Sequence, residues 1–345
     1  SAYLCSGIST CHESSQLEEA KEKLIKGMKV WIREGSVAKD LQTLVPLLNI
    51  ATSTSMGFCT DDRNPLDIAH EGHLDFLIRG AIQAGVPSEI VYRAASYSVA
   101  RHYGLDLGLH RKGAIAPGYV ADLVVLEDEK SCTIQDVWVG GERVGELEKS
   151  ESPSATARQT VEAEVPEINE LKGPDTRVHI IVVNPGKIIT EREIGNSTDI
   201  GVAKLSVLER HGHKTKPANA YVRGFGENLK GAIASSVGHD SHNLIVVGSN
   251  LVDMQFALKA LIQSQGGFVV VQNQSVLAQL SLPLGGLMSE ETPQSIEKSL
   301  IQLRAASRSI GCTMPEPFLQ LAFLSLPVIP SLKLTDKGLV DVDRF

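Results

Sequence analysis

The feature that most constrains the fold is a regular alternation of short apolar strands and amphipathic helices over the first 104 residues. The links between them are short, so successive strands are expected to run parallel, with a helix crossing between them. This alternation predicts βα units and a parallel sheet. The predicted strands cover residues 7–12, 28–32 and 56–60, and the predicted helices cover residues 16–25, 37–48, 65–84 and 88–103.

Beyond residue 104 the pattern changes to strands without intervening helices. A turn and a buried strand come first, and then a hairpin whose turn is Gly140-Gly141, a glycine pair typical of tight hairpins. A stretch rich in Glu, Ser, Ala and Pro follows and is interpreted as a linker or wrapping segment. The rest alternates helix and strand less regularly, which favours a separate α/β or α+β domain. The predicted division is residues 1–104, 105–146, 147–176 and 177–345.

Composition excludes several classes of protein. The net charge of −8 and the pI of about 5.7 argue against binding nucleic acid or an anionic membrane through a basic surface. No apolar run has the length of a membrane span, and no signal peptide is recognised. The five cysteines include no CxxC pair, which makes a disulfide framework improbable. We therefore expect a cytoplasmic protein with no nucleic-acid or membrane partner.

Two of the predicted strands end in polar clusters, Cys11-His12-Glu13-Ser14 and Cys59-Thr60-Asp61-Asp62-Arg63. Because catalytic groups of βα barrels lie at the carboxyl ends of strands, His12 and Asp61 are expected on one rim, two strands apart. A neutral imidazole and a carboxylate are suitable ligands for a divalent metal that activates water. The alternative interpretation is a hydrogen-bonded structural histidine and a helix cap with a surface ion pair.

Two further histidine clusters are weaker candidates. His70-Glu71-Gly72-His73 lacks the zincin spacing, but its histidines could share a helix face near the rim and contact substrate or metal. The segment His239-Asp240-Ser241-His242 could reach over a barrel mouth or bind a second metal. A polar helix start and a hydrogen-bonded loop are the respective alternatives.

Several segments resemble known hydrolases. Residues 98–105 and 112–126 are similar to the point at which amidohydrolase-superfamily chains leave the last barrel helix and return to a β-sandwich. Other segments resemble the bacterial adenine deaminase family in particular. The resemblance implies an α/β fold made of the C-terminal part of a (β/α)8 barrel with about three βα units, a small β-sandwich segment and a C-terminal α/β (α+β) domain. The segments similar to adenine deaminases are 11–14, 33–36, 59–65, 70–73, 238–243, 282–289 and 323–330.

This resemblance implies hydrolytic deamination of adenine to hypoxanthine and ammonia by metal-activated water, a reaction of purine salvage. It makes His12 and Asp61 metal ligands and Asp61 the catalytic proton acceptor. The implied cofactor is a binuclear divalent transition-metal site containing Mn or Fe. The implied partners are adenine as substrate and a second copy of the chain in a homodimer. Candidates for supporting or substrate-contacting roles are Glu13, Asp62, Arg63, His70, Glu71, His73, His239, Asp240 and His242.

The chain departs from the family pattern in its ligand set. The His-x-His, the bridging carboxylate and another histidine of the family would all precede Ser1. Catalytic metal sites generally use at least three protein ligands, so we expect this chain alone to be inactive unless the missing half is supplied. Two alternatives stay open: another amidohydrolase acting on cyclic amides or N-acetyl sugars, and an inactive fragment that binds purine or assembles with a partner.

Overall fold

The computed structural model describes residues 2–145 and 157–344, and the chain divides into two compact units, residues 1–150 and 151–345. The first unit carries helices between its early strands and only strands at its end. Its elements are α1 (Ala2–Cys5), β1 (Thr10–Cys11), α2 (Leu17–Ile25), β2 (Lys29–Arg33), α3 (Leu41–Leu44), β3 (Met56–Cys59), α4 (Pro65–Glu71), α5 (Leu74–Gln83), α6 (Ser88–Ala95), α7 (Tyr97–His102), β4 (Leu123–Asp128), β5 (Thr133–Val139) and β6 (Glu142–Arg143).

Strands β1, β2 and β3 form a parallel sheet in that order, which confirms the predicted βα units. Val30 and Ile32 of β2 are fully buried, and Trp31 between them is nearly so, as expected for a strand covered on both faces. Because the strands are parallel, their carboxyl ends meet at one edge of the sheet. The mixed α/β class is confirmed for this unit, and closure into an eight-stranded barrel stays a prediction.

Three of the predicted helices were too long. The helix predicted over 65–84 is broken at Gly72, whose φ of +105° ends α4 before α5 begins. The helix predicted over 88–103 is broken at Ser96, whose hydroxyl donates to Tyr92 O at 2.6 Å. In the third, predicted over 37–48, only α3 and a 3₁₀ turn are helical. There the carboxylate of Glu34 accepts from Leu41 N at 2.9 Å and fixes the preceding loop.

The end of the first unit is a small antiparallel sheet in the order β4-β5-β6. Gly140 and Gly141 connect β5 to β6 with φ values of +62° and +87°, which confirms the predicted glycine hairpin. The preceding strand is shorter than expected, since residues 112–122 are loop and bridge and regular pairing begins only at β4.

The described residues of the second unit contain a larger sheet and three α-helices. Its elements are β7 (Val178–Val183), β8 (Thr190–Gly195), β9 (Val202–Leu208), β10 (Ala218–Arg223), β11 (Ala232–Ser235), β12 (Leu244–Gly248), α8 (Leu251–Gln263), β13 (Gly267–Gln272), β14 (Ser275–Ser281), α9 (Pro293–Ser309), α10 (Pro317–Ala322), β15 (Leu332–Thr335) and β16 (Gly338–Asp341).

Eight strands form this sheet in the order β14-β13-β11-β12-β9-β10-β7-β8, and only the β10–β7 pair is parallel. Helix α8 packs on one face, where Leu258 and Leu261 are fully buried. Helices α9 and α10 pack on the other face, around Leu303 and Leu321. The sheet therefore has an apolar layer on both sides.

The predicted linker over 147–176 lies partly outside the described residues. Its described part, from residue 157, belongs to the second unit and packs against the core of that unit. Val161 and Leu171 are buried in the same apolar cluster as α8, and Val161 N donates to Gln265 Oε1 at 3.1 Å. Residues 168–171 form a 3₁₀ turn within it.

Three strands of the large sheet were not predicted from the sequence. β8 and β14 are its two edge strands, and polar residues interrupt their apolar pattern, namely Glu191, Arg192 and Glu193 in β8 and Gln279 in β14. β11 lies inside the sheet, but it is only four residues long and its sequence is Ala-Ile-Ala-Ser. Such small residues do not stand out as a strand without knowledge of their neighbours. Among the described residues, no helix has the length and apolarity needed to cross a membrane.

Candidate functional site

The carboxyl edge of the parallel sheet brings together the two principal candidates. His12 follows β1 directly, and Asp61 lies two residues beyond the end of β3. His12 Nε2 is 3.4 Å from Asp61 Oδ1, although 49 positions separate the two in sequence. The side chains keep exposed fractions of 46% and 32%, so the pair is open to a small molecule. Both side chains therefore lie together at the carboxyl ends of their strands, as predicted.

Local backbone geometry presents the Asp61 carboxylate. Asp61 has a φ of +46°, in the left-handed region that aspartate tolerates better than most residues. The turn is closed by Arg63 N, which donates to Thr60 O at 3.1 Å. A non-glycine residue in this conformation often marks a functional site, because surrounding structure must hold it there.

A chain of charged groups extends from His12 into the protein. His12 Nε2 is 3.2 Å from Glu13 Oε1, and Glu13 Oε2 accepts from Arg33 Nη1 at 2.8 Å. The Arg33 guanidinium is buried and donates through Nε to Asp40 Oδ2 at 3.1 Å. Arg33 and Asp40 were not recognised as site residues in the sequence, although Arg33 ends β2, the strand between the two candidates.

These contacts shift the titration of the histidine and its neighbour. The hydrogen bond with Glu13 raises the pKa of His12 above its usual value, and the charges of Glu13 and Asp61 raise it further. The hydrogen bond with His12 and the charge of Arg33 hold the pKa of Glu13 at about 2. Glu13 is therefore ionised at neutral pH and orients the imidazole.

Asp62 and Arg63 follow Asp61 but point away from it. Asp62 Oδ2 accepts from Val37 N at 3.0 Å, and Oδ1 lies so close to Gly35 that a Cβ there would overlap it. Burial raises the pKa of Asp62. Asp62 thus holds the loop after β2 in place.

Arg63 is buried in a separate set of contacts. Its Nε donates to Gly72 O at 2.8 Å, its Nη2 bonds Glu71, and its guanidinium lies 4.3 Å from the ring centroid of Phe76. These bonds tie the turn after β3 to the end of α4. They give Arg63 a structural role beside the candidate site.

The predicted helix face shared by His70 and His73 does not exist. His70 is exposed in the last turn of α4, whereas His73 lies beyond the break at Gly72. His73 Nε2 is 2.9 Å from the hydroxyl of Thr60, next to Asp61. The imidazole of His73 is therefore connected to the end of β3.

The segment His239–His242 belongs to the second unit and precedes β12. The His239 ring stacks on Phe323 at a centroid distance of 5.2 Å, and it lies 5.8 Å from the His242 ring. Asp240 is exposed, with Oδ1 3.6 Å from His239 Nδ1. Gly238 N donates to His242 Nδ1 at 3.4 Å, which is a long hydrogen bond.

The separation of His12 and Asp61 is compatible with a shared metal ion. Two donors at about 2.1 Å from one ion, at a tetrahedral angle, are about 3.4 Å apart. The Nε2–Oδ1 distance equals this value, so the pair fits two positions of one coordination sphere. No group of three or more His, Cys, Asp or Glu side chains is arranged to hold a metal within residues 2–145 and 157–344. Within the described residues, His12 and Asp61 therefore offer two donors whose spacing fits one ion.

Comparison with protein families divides the chain in the same way as the structure. Residues 6–144 match the amidohydrolase family, and residues 185–345 match the adenine deaminase C-terminal domain. The two matches fall in different compact units.

Individual relatives are similar over the whole chain. An adenine deaminase of Methylobacterium nodulans is 49% identical over 360 aligned residues, covering 100% of this chain and 62% of the relative. Adenine deaminases of Sinorhizobium fredii and Gluconobacter oxydans are 47% and 48% identical, and each alignment covers 99% of this chain and 62% of the relative. The chain thus spans less than two thirds of the length of these relatives.

Proposed function

We propose that the protein containing this chain deaminates adenine, because residues 6–144 match the amidohydrolase family and residues 185–345 match the adenine deaminase C-terminal domain. The reaction replaces the amino group of the purine ring with oxygen from water and releases hypoxanthine and ammonia. The observation that supports this most directly is the convergence of His12 and Asp61 at the carboxyl edge of the parallel sheet.

The proposed cofactor is a pair of divalent transition-metal ions, Mn or Fe. His12 Nε2 and the Asp61 carboxylate would hold one ion, and the remaining ligands would come from parts of the protein other than the described residues. Such ions lower the pKa of a bound water so that hydroxide is available at neutral pH. Strands β1 to β3 would then be three of the eight strands of a (β/α)8 barrel, and a homodimer is the proposed assembly.

In this proposal Asp61 moves the protons. Its carboxylate accepts a proton from the attacking water as the new C–O bond forms, and it returns a proton to the departing amine as the C–N bond breaks. The exposed carboxylate edge leaves room for substrate beside it. Arg33 holds the Glu13 carboxylate beside Nε2 of His12, the atom that would bind the ion, so metal binding would replace the His12–Glu13 hydrogen bond.

The test replaces Asp61 in the protein that carries this chain together with the rest of its length. Asp61→Asn keeps the shape of the side chain but removes its charge and basicity. It is expected to lower kcat for adenine by about 10²–10⁴-fold without a change in the far-UV circular dichroism spectrum. Asp106→Asn, which changes a carboxylate outside the cluster, is the matched control and is expected to keep full activity.

Substrate choice is tested separately with adenine, a cyclic amide and an N-acetyl sugar. Turnover of adenine alone supports the proposal, whereas preferential turnover of either other substrate identifies a different amidohydrolase. Near-normal adenine turnover by Asp61→Asn would overturn the role of Asp61.

A further inference from the structure

The second unit holds a buried cation beside a pair of histidines at the end of its large sheet. β9 and β12 are antiparallel, with Leu208 opposite Leu244. Arg210 lies two residues beyond this pair, and His242 lies two residues before Leu244. His242 has a φ of +50°, so it lies outside the extended strand.

Two contacts show that the strands stay adjacent beyond their last ladder pair. Arg210 N donates to Asn243 Oδ1 at 3.3 Å. One residue further, His211 Nε2 is 2.9 Å from Ser241 O. The chain at Arg210 therefore stays beside residues 241–243, although the regular ladder ends at Leu208 and Leu244.

The guanidinium of Arg210 has an unusual environment for a charged group. Arg210 is only 5% exposed to solvent. Its Nε and Nη1 have no hydrogen-bond partner among the residues that the structure describes. The neighbouring carboxylate of Glu209 is turned away, since it accepts from His211 N and His213 N. A buried cation without an acceptor is costly, so an anion that reached it would be strongly favoured.

The guanidinium rests against a glycine turn that leaves space for it. Gly286 has a φ of +71°, and a Cβ at this position would overlap Arg210 Nη1. The turn is fixed by Ser236, whose hydroxyl donates to Gly286 O. The backbone here is therefore shaped around the arginine side chain.

His239 and His242 are more exposed to solvent than Arg210. His242 and His239 are both half-buried, and the His239 ring is held by stacking on Phe323. Burial lowers the pKa of His242, and the charges of His239 and Arg210 lower it further. Imidazole N–H groups and a guanidinium are donors that suit the oxygens of an anion.

We propose that Arg210 and His242 form a binding site for a small oxyanion, either a phosphate or a carboxylate group, in the C-terminal domain. The guanidinium supplies a planar fork that matches two oxygens of such a group. His242, which directly precedes the Asn243 that bonds Arg210 N, supplies a further donor from the solvent side. This site lies outside the His12–Asp61 cluster, and its test needs no adenine turnover.

The experiment measures binding of inorganic phosphate and of acetate to the full-length protein by calorimetry, in chloride buffer at constant ionic strength. Saturable binding of either oxyanion to the wild type is expected, and the tighter one identifies the class of ligand. Arg210→Met is expected to weaken that binding at least about tenfold, because it removes charged hydrogen bonds. Arg177→Met, at an exposed arginine of the same unit, is the matched control and should bind like the wild type.

The melting temperature, measured in chloride buffer without phosphate or acetate, shows whether a loss of binding is due to a loss of folded protein. Arg210→Met should melt no lower than the wild type, because the replacement removes a buried charge without a partner. His242→Gln leaves the buried cation in place and gives a second test, in which binding should weaken several-fold. Absence of saturable binding to the wild type, or unchanged binding by both variants, would overturn the proposal.

Discussion

Buried cations have different surroundings in the two units of this molecule. In the first unit, Arg33 contacts Glu13 and Asp40, and Arg63 contacts Glu71. In the second unit, burial is the only influence on the pKa values of Arg210 and Lys333, and it lowers both. Burial alone therefore does not decide whether removing a cation raises or lowers the free energy of unfolding. The presence of a carboxylate partner decides the sign of the change.

The largest effect is expected for Arg33→Met. This change leaves the buried Asp40 carboxylate without its cation and is expected to reduce the free energy of unfolding by about 3–5 kcal/mol. Both tryptophans, Trp31 and Trp138, lie in the first unit, so their fluorescence during urea unfolding reports on it. Asp40→Asn in the same background should restore part of the loss. A loss below about 1 kcal/mol would mean that the pairing contributes little.

An effect of opposite sign is expected for Lys333→Met. Lys333 is fully buried and donates to Ile188 O at 2.9 Å, and burial lowers its pKa to about 7. The variant is expected to be about 2 kcal/mol more stable than the wild type at pH 7, because an amine that is hard to protonate is replaced by an apolar chain.

The pH dependence gives the check on Lys333. The amine has a pKa near 10.5 when unfolded and about 7 when folded, so the unfolded state binds more protons between these values. Wild-type stability due to this group therefore rises from pH 7 to pH 10.5, and the advantage of Lys333→Met shrinks over the same range. Urea unfolding followed by circular dichroism measures the difference, and a constant difference across this range would contradict the assigned pKa.

The smallest effect is expected for Arg63→Met. The change removes hydrogen bonds to Gly72 and Glu71 and a cation–π contact with Phe76, but Glu71 keeps 41% of its exposure and stays hydrated. We expect a loss of about 1–2 kcal/mol, measured by tryptophan fluorescence as for Arg33. A loss as large as that of Arg33→Met would show that an exposed partner is as important as a buried one.

Much of the candidate site could be predicted because it depends on short-range pattern. The alternation of strand and helix located the ends of β1 and β3, and parallel strands necessarily bring those ends together. His12 and Asp61 follow from this rule. The helix break between His70 and His73 was not predicted, although Gly72 is the residue type that most readily adopts a positive φ at a helix end.

The sequence by itself therefore determined which chain segments form parallel βα units, and which polar residues lie at their carboxyl edge. Only the tertiary structure decided which charges meet. Arg33 joins Glu13 and Asp40 because neighbouring strands and the loop after β2 converge on it. Arg210 lies beside Asn243 because antiparallel pairing of β9 and β12 brings together residues 33 positions apart. The physical reason is that strand periodicity is set by neighbouring residues, whereas the pairing of charges depends on how distant segments pack.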